Sequence, residues 1–416
     1  MQIETILNRV ASHKGFVYVA ARFVEAQQPE IEVEIRPRAG SRGLCSGCGR
    51  SQPGYDRLPP RRFEFIPFWG FLVFFVYALR RVECDRCGIR VEQVPWAHGK
   101  HRLTNSYAWF LAGWARRMSW SEVACAFHTS WHHVFDSVAF AVCWGREHMS
   151  LDGVSAIGVD EIAWGTGHTY ATLVYQINEG NRRLLWVAPK RTARSLLSFF
   201  RWLGRERSRK IEFACSDMWK PYLKVIAKKA SQAVHILDRF HIMMHVSKAI
   251  DEVRTQEVKS LKARGEEPLL TKTRWLLLKR PENMSDSQYA KLADLVRLNL
   301  KSVKAWILKE ELLRFWEYVS PHWAGVCLDR WCERTMRSRL EPMKRVARMM
   351  RNHRGLILNW FRAKKAFSSG IVEGLNGKAK VVTKRAYGFR TFDHLQVALY
   401  HTLGNLPEPE YAHRFF

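Results

Sequence analysis

The spacing of apolar residues changes along the chain, and each spacing predicts a different kind of element. Two short runs, Phe63 with Phe65 and Val73 with Phe75 and Tyr77, repeat a large apolar side chain at every second residue, which is the period of a strand. The apolar run at residues 65–79 is shorter than the ~20 residues that a membrane helix needs, and a proline and a glycine interrupt it. It therefore predicts a buried β-hairpin. Over residues 104–148 apolar positions recur every three or four residues, which predicts three short helices.

Residues 155–237 have the pattern of an α/β core. Short apolar runs in this region predict strands, and two amphipathic segments, at residues 192–204 and 222–230, predict helices. The first three runs follow one another closely and predict an antiparallel meander, whereas a helix precedes each of the last two. The predicted strands are residues 156–159, 170–177, 184–187, 211–216 and 233–237.

A long stretch after this core has almost no strand signal. It contains charged, periodic segments with helix starts such as the capping-box pattern from Ser285 to Gln288. It therefore predicts a helical insertion, which is followed by two more helices. We expect a multidomain α/β protein with five successive regions. These are an N-terminal module at residues 1–98, a helical module at 99–150, the first part of the core at 151–245, the helical insertion at 246–362 and the last part of the core at 363–416.

The charge balance indicates the class of partner. Lys and Arg number 67 against 39 Asp and Glu, which gives a formal net charge of +28. A chain this basic is expected to bind a polyanion. Because basic residues recur along the whole chain and no amphipathic anchor or lipidation signal stands out, nucleic acid is favoured over a membrane. The first residues lack the charged and apolar regions of a signal peptide, so we expect a cytoplasmic protein.

Four of the nine cysteines form two Cys-x-x-Cys pairs, Cys45 with Cys48 and Cys84 with Cys87. Cysteines in the cytoplasm are not expected to form a disulfide framework. Two thiolate pairs on glycine-containing turns are what one tetrahedral Zn²⁺ requires, and the predicted hairpin accounts for the long stretch between them. A redox motif is the alternative, but it does not need a second pair. The pattern predicts one structural zinc ion.

Residues 119–127, a three-residue turn and the segment from Trp131 onward have the length and apolar spacing of a helix-turn-helix. Its second helix would present Trp131, His132 and His133 to DNA. A plain helical hairpin within a core has the same pattern. The neighbouring zinc module and the strongly basic composition favour the DNA-binding interpretation.

Three acids stand at positions that suit a metal site. Asp160 and Asp217 each follow an apolar strand-like run, and Glu373 lies in a segment where small residues lead into a basic helix. Phosphodiester chemistry uses two metal ions roughly 4 Å apart, and carboxylates are the ligands that Mg²⁺ prefers. Each acid taken singly is more often a helix cap or a surface residue. The order of strand-Asp, strand-Asp and helix-Glu favours the metal site.

Further polar residues accompany these three acids. Asp238 and His241 follow the last predicted strand, where they either orient a ligand or form a structural hydrogen-bonded pair. Basic residues recur at helical spacing in the insertion and after Glu373. Such runs are usually solvated faces, but near a metal site they suit phosphates. The expected DNA-binding cations are Arg345, Arg348, Lys378, Lys380, Lys384, Arg385 and Arg390.

These motifs resemble those of the bacterial insertion-sequence transposases of the ISL-three family, within the DDE transposases. The resemblance covers nearly the whole chain in order and rests on the two Cys-x-x-Cys pairs, SWSEVACAF, IGVDEIAWG, CSDMWKPY, LDRFHI and SSGIVEGLNGKAKVVTKRAYGFR. It implies an RNase H-like catalytic core interrupted by the helical insertion. It also implies that a zinc-ribbon-like module and a helix-turn-helix precede this core and bind transposon ends.

The resemblance also implies roles for single residues. Asp160, Asp217 and Glu373 would be the catalytic ligands of two Mg²⁺ or Mn²⁺ ions, and Asp238 with His241 would form an accessory element. We therefore expect a transposase that cleaves DNA at terminal inverted repeats and joins the freed 3′-hydroxyl to target DNA, without a covalent protein intermediate.

The expected partner is double-stranded DNA, both the terminal inverted repeats and the target. We expect a homodimer or a larger assembly on this DNA, at the nucleoid of a bacterial cytoplasm, with no membrane partner. Two other functions share these features. A zinc-ribbon and helix-turn-helix regulator would need none of the three acids, and a hydrolytic nuclease on the same fold would cut without joining.

Overall fold

The chain packs into two compact units. One comprises Met1–Ser150 together with Val382–Phe416, and the other comprises Leu151–Val381. The computed structural model describes residues 2–410 except residues 100, 166, 168, 267–269, 271, 272, 280, 299 and 365–368 and the side chains of residues 281 and 369.

The strands of the described residues form three hydrogen-bonded sheets. Many of these segments are rich in β-branched and aromatic residues, which favour an extended backbone. The strands are β1 (Phe16–Val24), β2 (Glu30–Pro37), β3 (Gly43–Cys45), β4 (Ser51–Gln52), β5 (Gly54–Arg57), β6 (Arg61–Phe68), β7 (Phe71–Tyr77), β8 (Arg80–Cys84), β9 (Gly88–Gln93), β10 (Ala156–Gly165), β11 (Thr169–Asn178), β12 (Asn181–Pro189), β13 (Phe213–Ser216) and β14 (Val234–Leu237).

Helices connect the sheets and make up most of the second half of the chain. A short 3-10 turn lies at Pro281–Asn283. The helices are α1 (Ile3–Val10), α2 (Asn105–Ala115), α3 (Trp120–Ala126), α4 (Trp131–His148), α5 (Ala193–Leu203), α6 (Arg205–Arg209), α7 (Lys220–Lys229), α8 (Arg239–Ala263), α9 (Arg274–Leu278), α10 (Asp286–Arg297), α11 (Lys301–Phe315), α12 (Pro321–Met336), α13 (Glu341–Asn352), α14 (Arg354–Arg362), α15 (Ser369–Arg385) and α16 (Phe392–Leu403).

The first sheet, in the order β1-β2-β7-β6, buries one of its faces. Alternate residues of β2 and β7 are buried, and Val33 and Phe75 near their centres are completely inaccessible. β6 and β7 pair antiparallel. Trp69 and Gly70, both with positive φ, form the two-residue turn between them. The predicted β-hairpin is therefore confirmed.

The second sheet, in the order β4-β3-β9-β8-β5, is small and contains the predicted cysteine pairs. Three helices follow it in the chain at the predicted place. Ser119 begins α3 with a capping box that includes Glu122, and the Ser130 side chain caps α4. α4 extends over 18 residues, so it is longer than the short helix predicted. The three helices predicted for this region are therefore present.

The third sheet belongs to the second unit and has the order β12-β11-β10-β13-β14. β10, β11 and β12 form the predicted antiparallel meander, while β13 pairs parallel with β10 and β14 pairs parallel with β13. The five predicted strands are confirmed, with shifted ends. One end needs correction, because β10 continues to Gly165 and Asp160 lies in mid-strand opposite Leu173. The reason is that β11 is long enough to pair with β10 as far as Gly165.

Helices cover both faces of this third sheet. On one face, the Thr172 hydroxyl of β11 is hydrogen-bonded to the Tyr222 hydroxyl of α7 at 2.8 Å. On the other face, the Tyr175 hydroxyl donates to Asn376 Oδ1 of α15 at 2.7 Å. Thr172 and Tyr175 are three residues apart in one strand, so their side chains point to opposite faces. The sheet therefore lies between α7 and α15.

The described residues between β14 and α15 contain helices and no strand, as predicted for the insertion. Glu257 of α8 fixes two of these helices together, because its carboxylate accepts hydrogen bonds from the backbone N–H groups of Lys301 and Ser302 at the start of α11, at 2.7 and 2.8 Å. Across the described part of the chain, no helix combines the length and apolar character needed to span a membrane.

Candidate functional site

Three aspartates lie side by side across neighbouring strands of the third sheet. β10 and β13 run parallel with Gly158 opposite Cys215, and β13 and β14 run parallel with Ser216 opposite Leu237. Two residues further along, Asp160 comes opposite Asp217, and one residue further along the second pair, Asp217 comes opposite Asp238. Neighbouring strands are about 4.8 Å apart, so the three carboxylates share one small region. We call this set the acid row; it consists of Asp160, Asp217 and Asp238.

Asp160 is held by hydrogen bonds at both carboxylate oxygens. Its Oδ1 accepts from the backbone N–H of Glu161 at 2.8 Å, and its Oδ2 accepts from Asn376 Nδ2 at 2.6 Å. Burial raises the pKa of Asp160 to about 6, and the charges of the other two aspartates also raise it. A positive charge in the site would therefore favour the ionised form.

Asp217 follows β13 directly and is only 8% exposed. Its Oδ1 accepts from the backbone N–H of Trp219 at 3.1 Å, and its Oδ2 accepts from Arg191 Nη2 at 2.5 Å. The Nε atom of the same guanidinium lies 2.9 Å from Glu161 Oε1, and the guanidinium carbon lies 4.9 Å from the centre of the Trp219 ring. Arg191 thus links two carboxylates at one edge of the acid row.

Glu161 is a further carboxylate at this site, and it is not among the acids predicted from the sequence. Burial raises its pKa to about 8, and the charge of Asp217 adds to the increase. Its Oε2 atom is buried and has no hydrogen-bond partner among the described residues. The only sequence signal for Glu161 was its position next to Asp160.

Arg191 and Asn376 also belong to the site, and the sequence indicated them to different degrees. Arg191 lies after β12 and reaches the acid row only because the sheet brings the two regions together, so no local pattern indicated it. Asn376 is three residues after Glu373, and residues at this spacing lie on the same side of a helix. Helical spacing could therefore have identified Asn376.

Glu373 is an exposed residue near the start of α15. This helix packs against β10 at Gly158, where any side chain would collide with Val372, and it is hydrogen-bonded to β10 through Asn376. Helical residues three apart have Cβ atoms about 5–6 Å apart, so Glu373 lies one turn from the tethering amide. Among the described residues, no hydrogen bond or ion pair joins Glu373 to the acid row. The structure thus brings the two predicted aspartates together and places the predicted glutamate on a helix bound to one of them.

Asp238 and His241 meet at the start of α8. Asp238 Oδ1 accepts from the backbone N–H of Phe240 at 2.7 Å and caps the helix. His241 Nε2 lies 3.7 Å from Asp238 Oδ2, and the charge of this histidine lowers the pKa of Asp160. At 3.7 Å the two side chains are too far apart for a hydrogen bond, and they form an ion pair only when His241 is protonated.

The two cysteine pairs converge at the ends of β3 and β8. Their four Sγ atoms all lie within 4.8 Å of one another, and those of Cys48 and Cys84 are 3.6 Å apart. Four sulfurs at 2.3 Å from a tetrahedral Zn²⁺ would be separated by about 3.8 Å. Hydrogen bonds from the backbone of Arg86 and Cys87 lower the pKa of Cys84 to about 7, which favours the thiolate. We call these four residues the cysteine cluster: Cys45, Cys48, Cys84 and Cys87.

The three predicted DNA-contacting residues at the start of α4 have different environments. Trp131 stacks on Phe135 with ring centroids 5.7 Å apart and packs against other aromatic rings. His133 is half-buried, and its Nδ1 is hydrogen-bonded to Thr129 Oγ1 at 3.0 Å. His132 is exposed. Only His132 of these three has an exposed side chain.

The predicted DNA-binding cations also differ in their surroundings. Arg345 forms an ion pair with Glu252, and Arg348 forms one with Glu341 at 2.9 Å. Arg385 Nη1 donates to the backbone carbonyl of residue 116 at 2.8 Å. The remaining four are exposed and have no ion pair among the described residues; they are Lys378, Lys380, Lys384 and Arg390.

Comparisons with known proteins identify the relatives of this chain. The transposase for insertion sequence element IS1001 of Bordetella parapertussis is 26% identical over 92% of this chain and 94% of its own length. The transposase for insertion sequence element IS1557 of Mycobacterium tuberculosis is 28% identical over 87% of this chain and 86% of its own length. A family model described as Transposase matches residues 157–399. Because this match covers more than half of the 416 residues and includes the acid row and Glu373, the chain belongs to the ISL-three family of DDE transposases.

Proposed function

We propose that this chain is an active DNA transposase, which binds the terminal inverted repeats of its insertion sequence and cleaves and joins DNA strands at Asp160, Asp217 and Glu373. One observation carries the proposal: the two aspartates are neighbours in the acid row, and Asn376 ties the helix of Glu373 to Asp160. The names of the relatives, which are transposases for insertion sequence elements, support the same activity.

The arrangement of the third sheet supports an RNase H-like core. An antiparallel meander of three strands is extended at β10 by two parallel strands, and helices cover both faces. This topology places the end of β13 next to the middle of β10 and the end of β14 next to that of β13. Acids from segments separated in the chain can then act on one substrate.

The donor set at the acid row suits Mg²⁺ or Mn²⁺, which are hard cations that prefer carboxylate oxygens. Asp160 and Asp217 each accept two hydrogen bonds, whereas an ionised carboxylate has about four lone-pair sites. Acceptor capacity therefore remains, and the buried Glu161 Oε2 adds an oxygen without a donor. Two such ions would supply activation of the attacking oxygen and stabilisation of the leaving oxygen.

The residues of the chain itself hold the reacting groups in place. Asn376 fixes the orientation of the Asp160 carboxylate, and Arg191 balances part of the negative charge of Asp217 and, when it is ionised, of Glu161. Because Glu373 is exposed on a helix that packs on β10, it is accessible to a phosphodiester near the acid row. Rigid positioning of this kind accounts for a large part of phosphoryl-transfer catalysis.

For DNA binding we propose a structural Zn²⁺ in the cysteine cluster and a helix-turn-helix formed by α3 and α4. The sulfur separation of 3.6 Å, close to the tetrahedral value, supports the zinc site. The exposed His132 is the residue at the start of α4 that would reach base edges, because Trp131 and His133 are engaged within the protein. A transposase joins two ends in one event, so a homodimer or larger assembly is expected on the DNA.

The catalytic assignment is tested with Asp217→Asn and Glu373→Gln. Each change keeps the size of the side chain and removes the charge that would balance a divalent cation, so strand cleavage and joining should fall at least a thousandfold. Binding to labelled terminal-repeat DNA should persist, and the repeat is identified by sequencing the DNA that flanks the gene. Glu333→Gln, at an exposed residue of α12, is the matched control and should keep full activity.

The possible outcomes distinguish this function from its rivals. Normal cleavage by Asp217→Asn or Glu373→Gln would refute the role of that residue. Wild-type protein that binds the repeat in Mg²⁺ but never nicks it would be a DNA-binding regulator. Wild-type protein that cuts but leaves the 3′-hydroxyl unjoined when target DNA is supplied would be a hydrolytic nuclease.

A further inference from the structure

A groove of about 1100 Å³ lies between α5, α6 and α7 in the second unit. One wall carries Arg201, Arg205 and Arg209, and the facing wall carries a lysine series from α7. None of the residues that line it is acidic, and Glu206 of α6 is not among them. We call this feature the basic groove; its cations are Arg201, Arg205, Arg209, Lys220, Lys224, Lys228 and Lys229.

The cations of both walls recur every four residues. On α7 this spacing keeps Lys220, Lys224 and Lys228 on the same side of the helix, because an α-helix turns once in 3.6 residues. The first and last of these lie about 12 Å apart along the helix axis. Each strand of B-DNA carries a phosphate every 3.4 Å or so along its axis, so this row can face about three phosphates of one strand.

Among the described residues, none of the seven has an ion pair with a carboxylate, in contrast to Arg345 and Arg348 on α13. Like charges that face each other across a groove repel and disfavour the compact state. An anion in the groove would remove this repulsion, which distinguishes the groove from a flat solvated face.

The side chains that line the groove also indicate whether it would contact the bases or the phosphates of a nucleic acid. Its aromatic residue, Phe200, is buried, so no exposed ring is available to stack on a base. The exposed polar groups are mainly ammonium and guanidinium groups, which bind phosphates without regard to sequence. α7 begins at Lys220, three residues after Asp217, so the Lys220 end of the basic groove lies close to the acid row.

We propose that the basic groove binds the phosphate backbone of target DNA. This inference rests on the proposed transposase function. Terminal repeats must be recognised by sequence, and the modules proposed for that task belong to the other unit. The basic groove contacts phosphates alone and shares a unit with the acid row, so it suits a duplex that is captured without sequence recognition.

The test is a variant that combines Arg205→Ala, Arg209→Ala, Lys224→Ala and Lys228→Ala. Its matched control removes four exposed lysines elsewhere in the same unit, at Lys259, Lys262, Lys291 and Lys304. Joining of pre-cleaved terminal-repeat DNA to a supercoiled plasmid should fall at least tenfold in the groove variant. Binding and cleavage of the terminal repeat should stay within about twofold of wild type, and the control variant should join normally.

A second measurement addresses the groove without requiring catalysis. The slope of log affinity against log salt is measured for an unrelated 30-base-pair duplex. In the groove variant it should become shallower by roughly 3 to 4, because each of the four lost phosphate contacts means that about one counterion fewer is released on binding. The control variant should keep the wild-type slope.

The outcomes separate the inference from the function on which it rests. Normal joining together with an unchanged salt slope would overturn the basic groove as a DNA site. Equal loss of terminal-repeat cleavage and of joining would show that the groove holds the transposon end and would overturn its assignment to target DNA. Wild-type protein that never cleaves the repeat would refute the proposed function, while the salt slope would still decide whether the groove binds DNA.

Discussion

The cysteine cluster and the acid row both gather side chains that suit metal ions, but they are assembled at different scales. Each cysteine pair lies on one tight turn after a short strand, and two such turns within one small sheet complete the set. The acid row instead takes one residue from each of three strands or strand ends, and its remaining partners come from a loop and a distant helix. A site built from turns depends on its own sheet, whereas a site built from a sheet depends on the packing of the whole unit.

The largest effect on stability is expected from a substitution in the cysteine cluster. Cys84→Ser should abolish zinc binding and unfold the sheet of β3, β4, β5, β8 and β9, because metal binding to such sites contributes roughly 10 kcal/mol or more to folding. Cys125→Ser, at an exposed cysteine of α3 outside the cluster, is the matched control. Elemental analysis and thermal unfolding of both proteins measure the difference. Unchanged zinc content and unfolding in Cys84→Ser would contradict the zinc assignment.

A smaller effect on the free energy of unfolding is expected from substituting Arg191 at the edge of the acid row. Arg191→Ala leaves Asp217 and Glu161 without their shared cation, and breaking a buried ion pair is strongly destabilising. Because the arginine side chain is 32% exposed, solvent weakens the effect, and we expect a loss of about 2–3 kcal/mol in the free energy of unfolding. Urea unfolding, with the exposed Arg194→Ala of α5 as control, measures it. A loss equal to that of the control would show that the ion pairs do not stabilise the site.

The tether between α15 and β10 should show the smallest effect on stability. Asn376→Leu removes the donor to Asp160 and the acceptor of Tyr175, and we expect it to cost about 1–2 kcal/mol and to slow strand cleavage. Tyr175→Phe keeps the bond to Asp160, so it should cost about 1 kcal/mol or less and leave cleavage nearly unchanged. Urea unfolding and the cleavage assay applied to both variants test this order. Equal cleavage by the two variants would exclude a positioning role for the Asn376 amide.

Local patterns predicted the elements well because their causes are local. Alternating apolar residues predicted the β6–β7 hairpin, and the succession of apolar runs predicted the meander and the two parallel strands. The end of β10 was wrong because it is set by the length of its partner β11, which no property of residues 156–159 indicates. Local patterns likewise did not indicate that the ring of Trp131 packs against His394 of α16, or that His133 Nδ1 lies 3.8 Å from a carboxylate oxygen of Glu64 in β6.

The sequence by itself determined the cysteine pairs, the order of the secondary-structure elements and the family likeness, because each depends on residues close together in the chain or on the order of motifs. Only the tertiary structure decided that Arg191 and Glu161 join the acid row, that Asn376 ties α15 to Asp160 and that seven cations line one groove. These contacts follow from sheet register and from the packing of helices on the two sheet faces. Register and packing depend on the free energy of burying the whole core, to which residues far apart in the chain contribute together.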